Sequence, residues 1–189
     1  FTGGLNDDVR GIHVSGSTMY MITHDPTETQ LWSLDITAAL PAPATLLGTY
    51  PDLEYCSGLD GDSQFLYTMC VDITGNSDQG VARISITGLT AESVSLIPDS
   101  SLDHATGSYA GVAGQDLDSD NLYDILFISG DSGTNEYVCE PSAPTVNGAQ
   151  FSAVFLSAYA DDDEGLGFDR TNNIVYKIDE SASAFSSFQ

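Results

Sequence analysis

Basic residues are nearly missing from this chain. Its 189 residues include four, Arg10, Arg83, Arg170 and Lys177, against 28 Asp and Glu, for a net charge of −24. Phosphate backbones are gripped by Lys and Arg, so nucleic acid is excluded as a partner, and anionic membrane surfaces are disfavoured for the same reason. No apolar run reaches the ~18 residues of a spanning helix, which argues against membrane insertion. Helical periodicity is nearly absent as well. Asp35–Ala39 reads as one short turn, stopped by Pro41 and Pro43. There is no basic, then apolar, leader at the start, and the first residue is Phe1. The expectation is a mature form after processing or an excised segment.

The usual catalytic constellations are also missing. His13, His24 and His104 are isolated, with no H-x-x-x-H or H-E-x-x-H spacing, and each reads as structural. No C-x-x-C pair suggests zinc, no G-x-S-x-G elbow presents a nucleophile, and no glycine-rich loop is set to cradle phosphate. Three cysteines are present: Cys56, Cys70 and Cys139. Cys56 and Cys70 flank a hairpin and can face each other across it, which gives either a disulfide of an oxidising compartment or two small buried thiols. Cys139 is left over, either free or paired between chains. Trp32 and the nine tyrosines read as packing between sheets, with a sugar-binding face as the other use.

What the chain has in excess is carboxylate. Such a surface stays soluble at high ionic strength, attracts divalent cations, and needs salt or bound metal to offset its self-repulsion. The expectation is a secreted, extracellular protein from a saline setting, with an intracellular protein of a salt-loving cell as the rival.

The acids are most ordered in Gly114–Gly130, GQDLDSDNLYDILFISG. Asp116, Asp118, Asp120 and Asp124 stand at positions 1, 3, 5 and 9 of a short loop, with the Leu122 carbonyl at position 7. Oxygen donors at that alternation suit a hard cation such as Ca²⁺. The sharp turn after the third acid requires a residue tolerant of a left-handed backbone, and Asn121 is the commonest choice after Gly. Phe127 at position 12, where an EF-hand carries its bidentate Glu, excludes that motif. An acidic loop running straight into an apolar strand resembles the calcium loop of FG-GAP-type propeller repeats, D-x-D-x-D-G-x-x-D, over about 15 residues, departing from it at Asn121. The resemblance implies Ca²⁺ held by Asp116, Asp118, Asp120, Leu122 through its carbonyl, and Asp124. A solvated acidic turn is the alternative.

Internal similarity points to the architecture. VRGIHV, CSGLDG, YAGVAG and DEGLGF align on Gly11, Gly58, Gly111 and Gly165, spaced 47, 53 and 54 residues apart. Each is followed by a turn and an apolar strand: Met19–Thr23, Phe65–Val71, Asp124–Ser129 and Ile174–Ile178. LWSLDI and VARISI then alternate apolar and polar residues, as half-buried strands do. Glu136–Glu140 is a weaker third strand, and fourth strands fall at Thr45–Tyr50, Ser93–Ile97 and Ala153–Ser157. The acidic loop is an insertion at a hairpin turn of the third copy, where extra residues cost little.

The expected fold is therefore all-β: propeller-like repeats of four-stranded antiparallel sheets in a single domain, with repeats at about 8–52, 53–105, 106–160 and a partial 161–189. A β-sandwich is the alternative. Ring closure is open: Phe1–Asp8 completes the last repeat, or the chain is part of a larger ring, or an exposed end sheet associates with another chain. Two further acidic segments stand out. Asp161–Glu164 reads as a solvated loop rather than a second cation site, and Asp60-Gly61-Asp62 as a weak or absent one.

The function these readings favour is non-enzymatic: a secreted, calcium-stabilised module for surface binding, cell adhesion or extracellular assembly. Its partners would be a divalent cation and a protein or glycan at a cell surface. A calcium-dependent hydrolase of phosphoesters or lactones is one alternative. A self-associating subunit of an extracellular filament or surface layer is the other.

Overall fold

A computed structural model describes residues 8–24, 27–39, 41–70, 80–96, 111–129, 136–139, 154–155, 163–169, 171–172, 174–179 and 184–188. All its regular elements are strands. β1 (Asp8–Ser15), β2 (Thr18–His24), β3 (Thr29–Asp35) and β4 (Thr45–Tyr50) form one antiparallel sheet in chain order. β5 (Ser57–Gly61), β6 (Phe65–Cys70), β7 (Gly80–Ser85) and β8 (Ala91–Leu96) form the second. β9 (Gly111–Gln115), β10 (Ile125–Ser129), β11 (Glu136–Cys139) and β12 (Val154–Phe155) form the third. β13 (Asp163–Asp169), β14 (Ile174–Asp179) and β15 (Ala184–Phe188) form the fourth. Each run of strands closes its own meandering sheet, so the two-sheet sandwich does not form.

The sheets stack in series through their first strands. β1 lies against β5, β5 against β9, and β9 against β13, while no comparable packing joins β13 back to β1 among the described residues. Among the described residues this is a propeller-like arrangement that is not closed into a ring. Part of the N-terminal stretch proposed to complete the last repeat lies outside the described residues; its final residue, Asp8, starts β1 and pairs with His24.

The first two sheets show how the sequence drives the stacking. In the first sheet, Gly11, Ile22 and Leu31 stand opposite one another across β1, β2 and β3. Ile22 and Leu31 join Leu59, Leu66 and Ile84 of the second sheet in one fully or nearly fully buried cluster. Each such side chain stabilises the fold by roughly 1.5–3 kcal/mol relative to its exposed state. Tyr50 at the end of β4 reaches across, donating its hydroxyl to the Leu89 carbonyl at 3.0 Å, and burial pushes that hydroxyl's pKa above its ordinary value.

The first aligned glycine has a physical reason. A Cβ on Gly11 would lie 2.7 Å from Leu59 Cβ and 2.8 Å from the Gly58 carbonyl carbon, so β1 approaches β5 nearly backbone to backbone. The second sheet is braced covalently: Cys56, just before β5, is bonded to Cys70 at the end of β6. Cys139 ends β11.

Candidate metal centre

The turns that join the first two strands of sheets one, two and three come together at one end of the stack. They surround a cleft of about 520 Å³ lined by His13, Gly16, Asp62, Ser63, Asp116, Asn121 and Tyr123, among others. Two kinds of carboxylate meet there, and they are held differently.

Asp116–Asp124 is a loop whose carboxylates cap its own backbone. Asp116 accepts from the Ser119 and Asn121 N–H groups at 2.7 and 2.8 Å. Asp118 accepts from Asp120 N at 3.1 Å, Asp120 from Leu122 N at 2.8 Å, and Asp124 from Leu117 N at 2.7 Å. Ser119 and Asn121 adopt left-handed backbones, with φ of 67° and 70°. The tight curl this produces brings one carboxylate oxygen each from Asp116, Asp118 and Asp120 within 4.8 Å of one another. Three anionic oxygens at that separation, on half-buried Asp116 and exposed Asp118 and Asp120 and with no basic side chain bonded to them among the described residues, form an oxygen-only donor set of the type hard cations take. Asp124 fastens the start of the loop, and its own N–H donates to the Gln115 carbonyl at 2.9 Å. The Leu122 N–H caps Asp120.

The second kind is Asp60 and Asp62, and here each oxygen is taken by the protein. Asp62 is buried. It accepts from Gln64 N at 2.7 Å, Phe65 N at 2.8 Å, Tyr67 Oη at 2.7 Å and Tyr123 N at 3.2 Å. Asp60 accepts from Gly61 N at 2.8 Å and Gly114 N at 2.8 Å, and it pairs with His13 Nδ1 at 3.0 Å. A carboxylate offers no proton, so the shared proton belongs to the His13 ring. These two aspartates join three sheets: His13 lies on β1, the aspartates stand at the end of β5, Gly114 lies on β9, and Tyr123 lies within the acidic loop that follows it. The sequence reading left Asp60 and Asp62 without this role. Its signal, a D-G-D at a turn, does not reveal donors 47 to 61 residues away.

Tyr123 locks the loop onto the second sheet. Its ring stacks on Tyr67 with centroids 5.6 Å apart. Its hydroxyl donates to the Gly61 carbonyl at 2.6 Å, and Ser63 N donates to the Asn121 carbonyl at 3.0 Å. The ring fills the place a side chain would take at Gly114, where a Cβ would overlap Tyr123. Of the other segments singled out in the sequence, Asp161 and Asp162, read as part of a solvated loop, lie outside the described residues, as does His104, read as structural. Asp163 and Glu164 begin β13, so that half of the run is strand rather than loop.

No family model matches the chain, and no curated protein matches its sequence. Solved structures do match its shape. A computationally designed protein, Ika4, aligns over 98% of this chain and 92% of its own, with a TM-score of 0.55 at 12% identity. A protein from Agrobacterium tumefaciens assigned as TolB aligns over 96% of this chain and 57% of its own, with a TM-score of 0.59 at 10% identity. One from Bacteroides uniformis assigned as a 6-phosphogluconolactonase aligns over 95% and 52%, with a TM-score of 0.52 at 16% identity. The chain thus spans little more than half of the last two. At these identities the likeness shows the fold, which is β-propeller-like.

Proposed function

We propose that the chain is a secreted, calcium-stabilised, propeller-like module that binds a protein or glycan at a cell surface. The observation that carries the reading is the convergence of Asp116, Asp118 and Asp120 on an exposed loop that Tyr123 and Ser63 fasten to the neighbouring sheet. Ca²⁺ fits the all-oxygen set and the curl imposed by Ser119 and Asn121. The ligands are Asp116, Asp118 and Asp120, with the Leu122 carbonyl and Asp124 completing the set. A bound ion would offset the repulsion among these acids and so stabilise the contact between sheets two and three. The Cys56–Cys70 disulfide supports an oxidising, extracellular location. The four repeats, at about 8–52, 53–105, 106–160 and 161–189, make up one domain on this reading.

The test is thermal unfolding at fixed ionic strength with EDTA and with Ca²⁺. At about a hundred times the dissociation constant a bound ion adds roughly 2.7 kcal/mol, a rise of about 5–10 °C for a domain of this size. A midpoint that does not move would remove the cation from the account.

The cleft favours a second reading, a calcium-dependent hydrolase of phosphoesters or lactones. His13, oriented by Asp60, and Asp116 line the same 520 Å³ space. A histidine beside a cation site can act as a base toward a metal-polarised substrate. Turnover of a phosphomonoester or lactone panel with added Ca²⁺, lost in His13→Ala, would select this reading over the first.

A further inference from the structure

The cleft between the three turns contains polar groups that the packing of the sheets leaves unused. His13 is fixed through Nδ1, 3.0 Å from Asp60, and Asp60 is itself fixed by the Gly61 and Gly114 N–H groups. With the ring proton on Nδ1, Nε2 is an acceptor, and among the described residues no donor reaches it. A Cβ on Gly61 would crowd Nε2 at 3.0 Å, so glycine at that position keeps the ring edge open. Asn121 commits its N–H to Asp116 and its carbonyl to Ser63, which leaves its side-chain amide for a ligand. Ser15, Ser63 and Ser119, all exposed, line the same space.

The carboxylates of the walls are already engaged. Each oxygen of Asp62 accepts two bonds from the protein, and each oxygen of Asp116 accepts a backbone N–H. No Lys or Arg lines the cleft among the described residues.

We infer that the cleft is a glycan site, taking a neutral, hydroxyl-rich sugar on His13 Nε2, the Asn121 amide and the serine hydroxyls. The inference rests on the reading of the chain as a surface-binding module, and not on its cation. The lining selects this chemistry. A sugar hydroxyl both donates and accepts, and so matches a wall made of one fixed acceptor, an amide and hydroxyls. An anionic ligand would meet Asp116, no base, and a chain of net charge −24. A cationic ligand would find Asp62 saturated. An apolar ligand would find only Val14 and Tyr123 among the lining side chains. Val14, 51% exposed, offers the C–H face of a sugar ring an apolar contact.

Size and rigidity agree. The volume of about 520 Å³ lies within the roughly 300–1,000 Å³ of small-ligand sites and suits a short saccharide. Asp60, Asp62 and the bond from Ser63 N to the Asn121 carbonyl hold the three turns together before a ligand arrives. Little ordering is therefore lost on binding.

The experiment is NMR titration of the 189-residue chain, in EDTA and again with Ca²⁺, against a fixed panel. The panel is the methyl glycosides of glucose, galactose, mannose and N-acetylglucosamine, with inorganic phosphate and hexylamine as charged probes. The expected result is at least one neutral glycoside bound with a dissociation constant of about 1–10 mM, ordinary for a ligand of that size, and neither charged probe bound. His13→Asn can place its amide nitrogen where Nδ1 stands, so it keeps the bond to Asp60 and loses the Nε2 acceptor. It should raise the dissociation constant about fivefold or more. Asn121→Gly keeps the left-handed backbone and should weaken binding about threefold; it carries the test if circular dichroism shows His13→Asn unfolded. Ile36→Ser, outside the cleft, should change nothing. No glycoside bound at concentrations well above that range overturns the inference. So does preferential binding of phosphate or hexylamine, or glycoside binding indifferent to both cleft variants. Glycoside bound in EDTA with a melting midpoint that ignores Ca²⁺ would remove the cation alone. A midpoint raised by Ca²⁺ with no glycoside bound would remove this site alone.

Discussion

Asp60–Asp62 and Asp116–Asp124 are both D-x-D segments at the turn between the first two strands of a sheet, and both touch one cleft. In the first, donors from three sheets converge on the carboxylates, and Asp62 is buried. In the second, the donors are the loop's own N–H groups, and Asp118 and Asp120 are exposed while Asp116 and Asp124 are half-buried. The residue type is the same, but the donor supply differs. Where the protein brings donors, aspartate is a joint between sheets. Where it supplies little beyond the loop's own backbone, the remaining oxygen valence is available to a cation.

The strongest way to break this comparison is Asp62→Ala. Removing that carboxylate leaves the N–H groups of Gln64, Phe65 and Tyr123 and the Tyr67 hydroxyl without their acceptor. An unpaired buried donor costs about 1–3 kcal/mol, and water reaches some of the four, so a loss of about 3 kcal/mol or more is expected. Denaturant unfolding measures it, with and without Ca²⁺, and the loss should be equal in both. A change under about 1 kcal/mol, or one that Ca²⁺ rescues, would erase the distinction between the two segments.

The matched substitution is Asp118→Asn. In EDTA it should change stability by no more than about 0.5 kcal/mol, as surface substitutions do, and the change should favour the fold, because one of three crowded negative charges is gone. With Ca²⁺, the stabilisation seen in the unsubstituted chain should disappear. A large loss in EDTA would make Asp118 a joint of the Asp62 kind.

This contrast also marks where the sequence was readable. The sheets were legible because their signals are local: alternation in LWSLDI and VARISI, turn residues between strands, and a glycine recurring where first strands meet. The facing of Cys56 and Cys70 across a hairpin was legible in the same way, and the structure decides between the two readings in favour of the disulfide. The acidic loop was legible because its order lies in nine consecutive residues, including an asparagine whose left-handed backbone the curl requires. Asp60 and Asp62 were not, because their meaning depends on His13 and Tyr123, which only the stacking of sheets brings near. Tyr123 was hidden further by its place among the acids. It reads as a loop residue and proves to be the ring that fills the space beside Gly114.

A third class of aspartate refines the comparison at the smallest scale. Asp35 and Asp169 end β3 and β13 and are not among the residues that line the cleft. Asp35 accepts from the Thr37 hydroxyl at 2.6 Å and the Thr37 N–H at 2.8 Å, and these bonds hold its carboxyl below the ordinary aspartate value. The Asn172 side chain, at 2.7 Å, does the same for Asp169. A carboxyl depressed in the folded state contributes stability above its unfolded value of 3.8, and that contribution is lost as pH falls through the folded value. Solvent screens both groups, so the effect on global unfolding is small. It is read instead by NMR titration of the side-chain carboxyl carbons. The Asp35 midpoint should fall below that of an unfolded peptide, and Thr37→Ala should bring it back up. If Thr37→Ala leaves the midpoint in place, local donors are not what sets an exposed carboxylate's state here, and the argument from donor supply fails at its simplest instance.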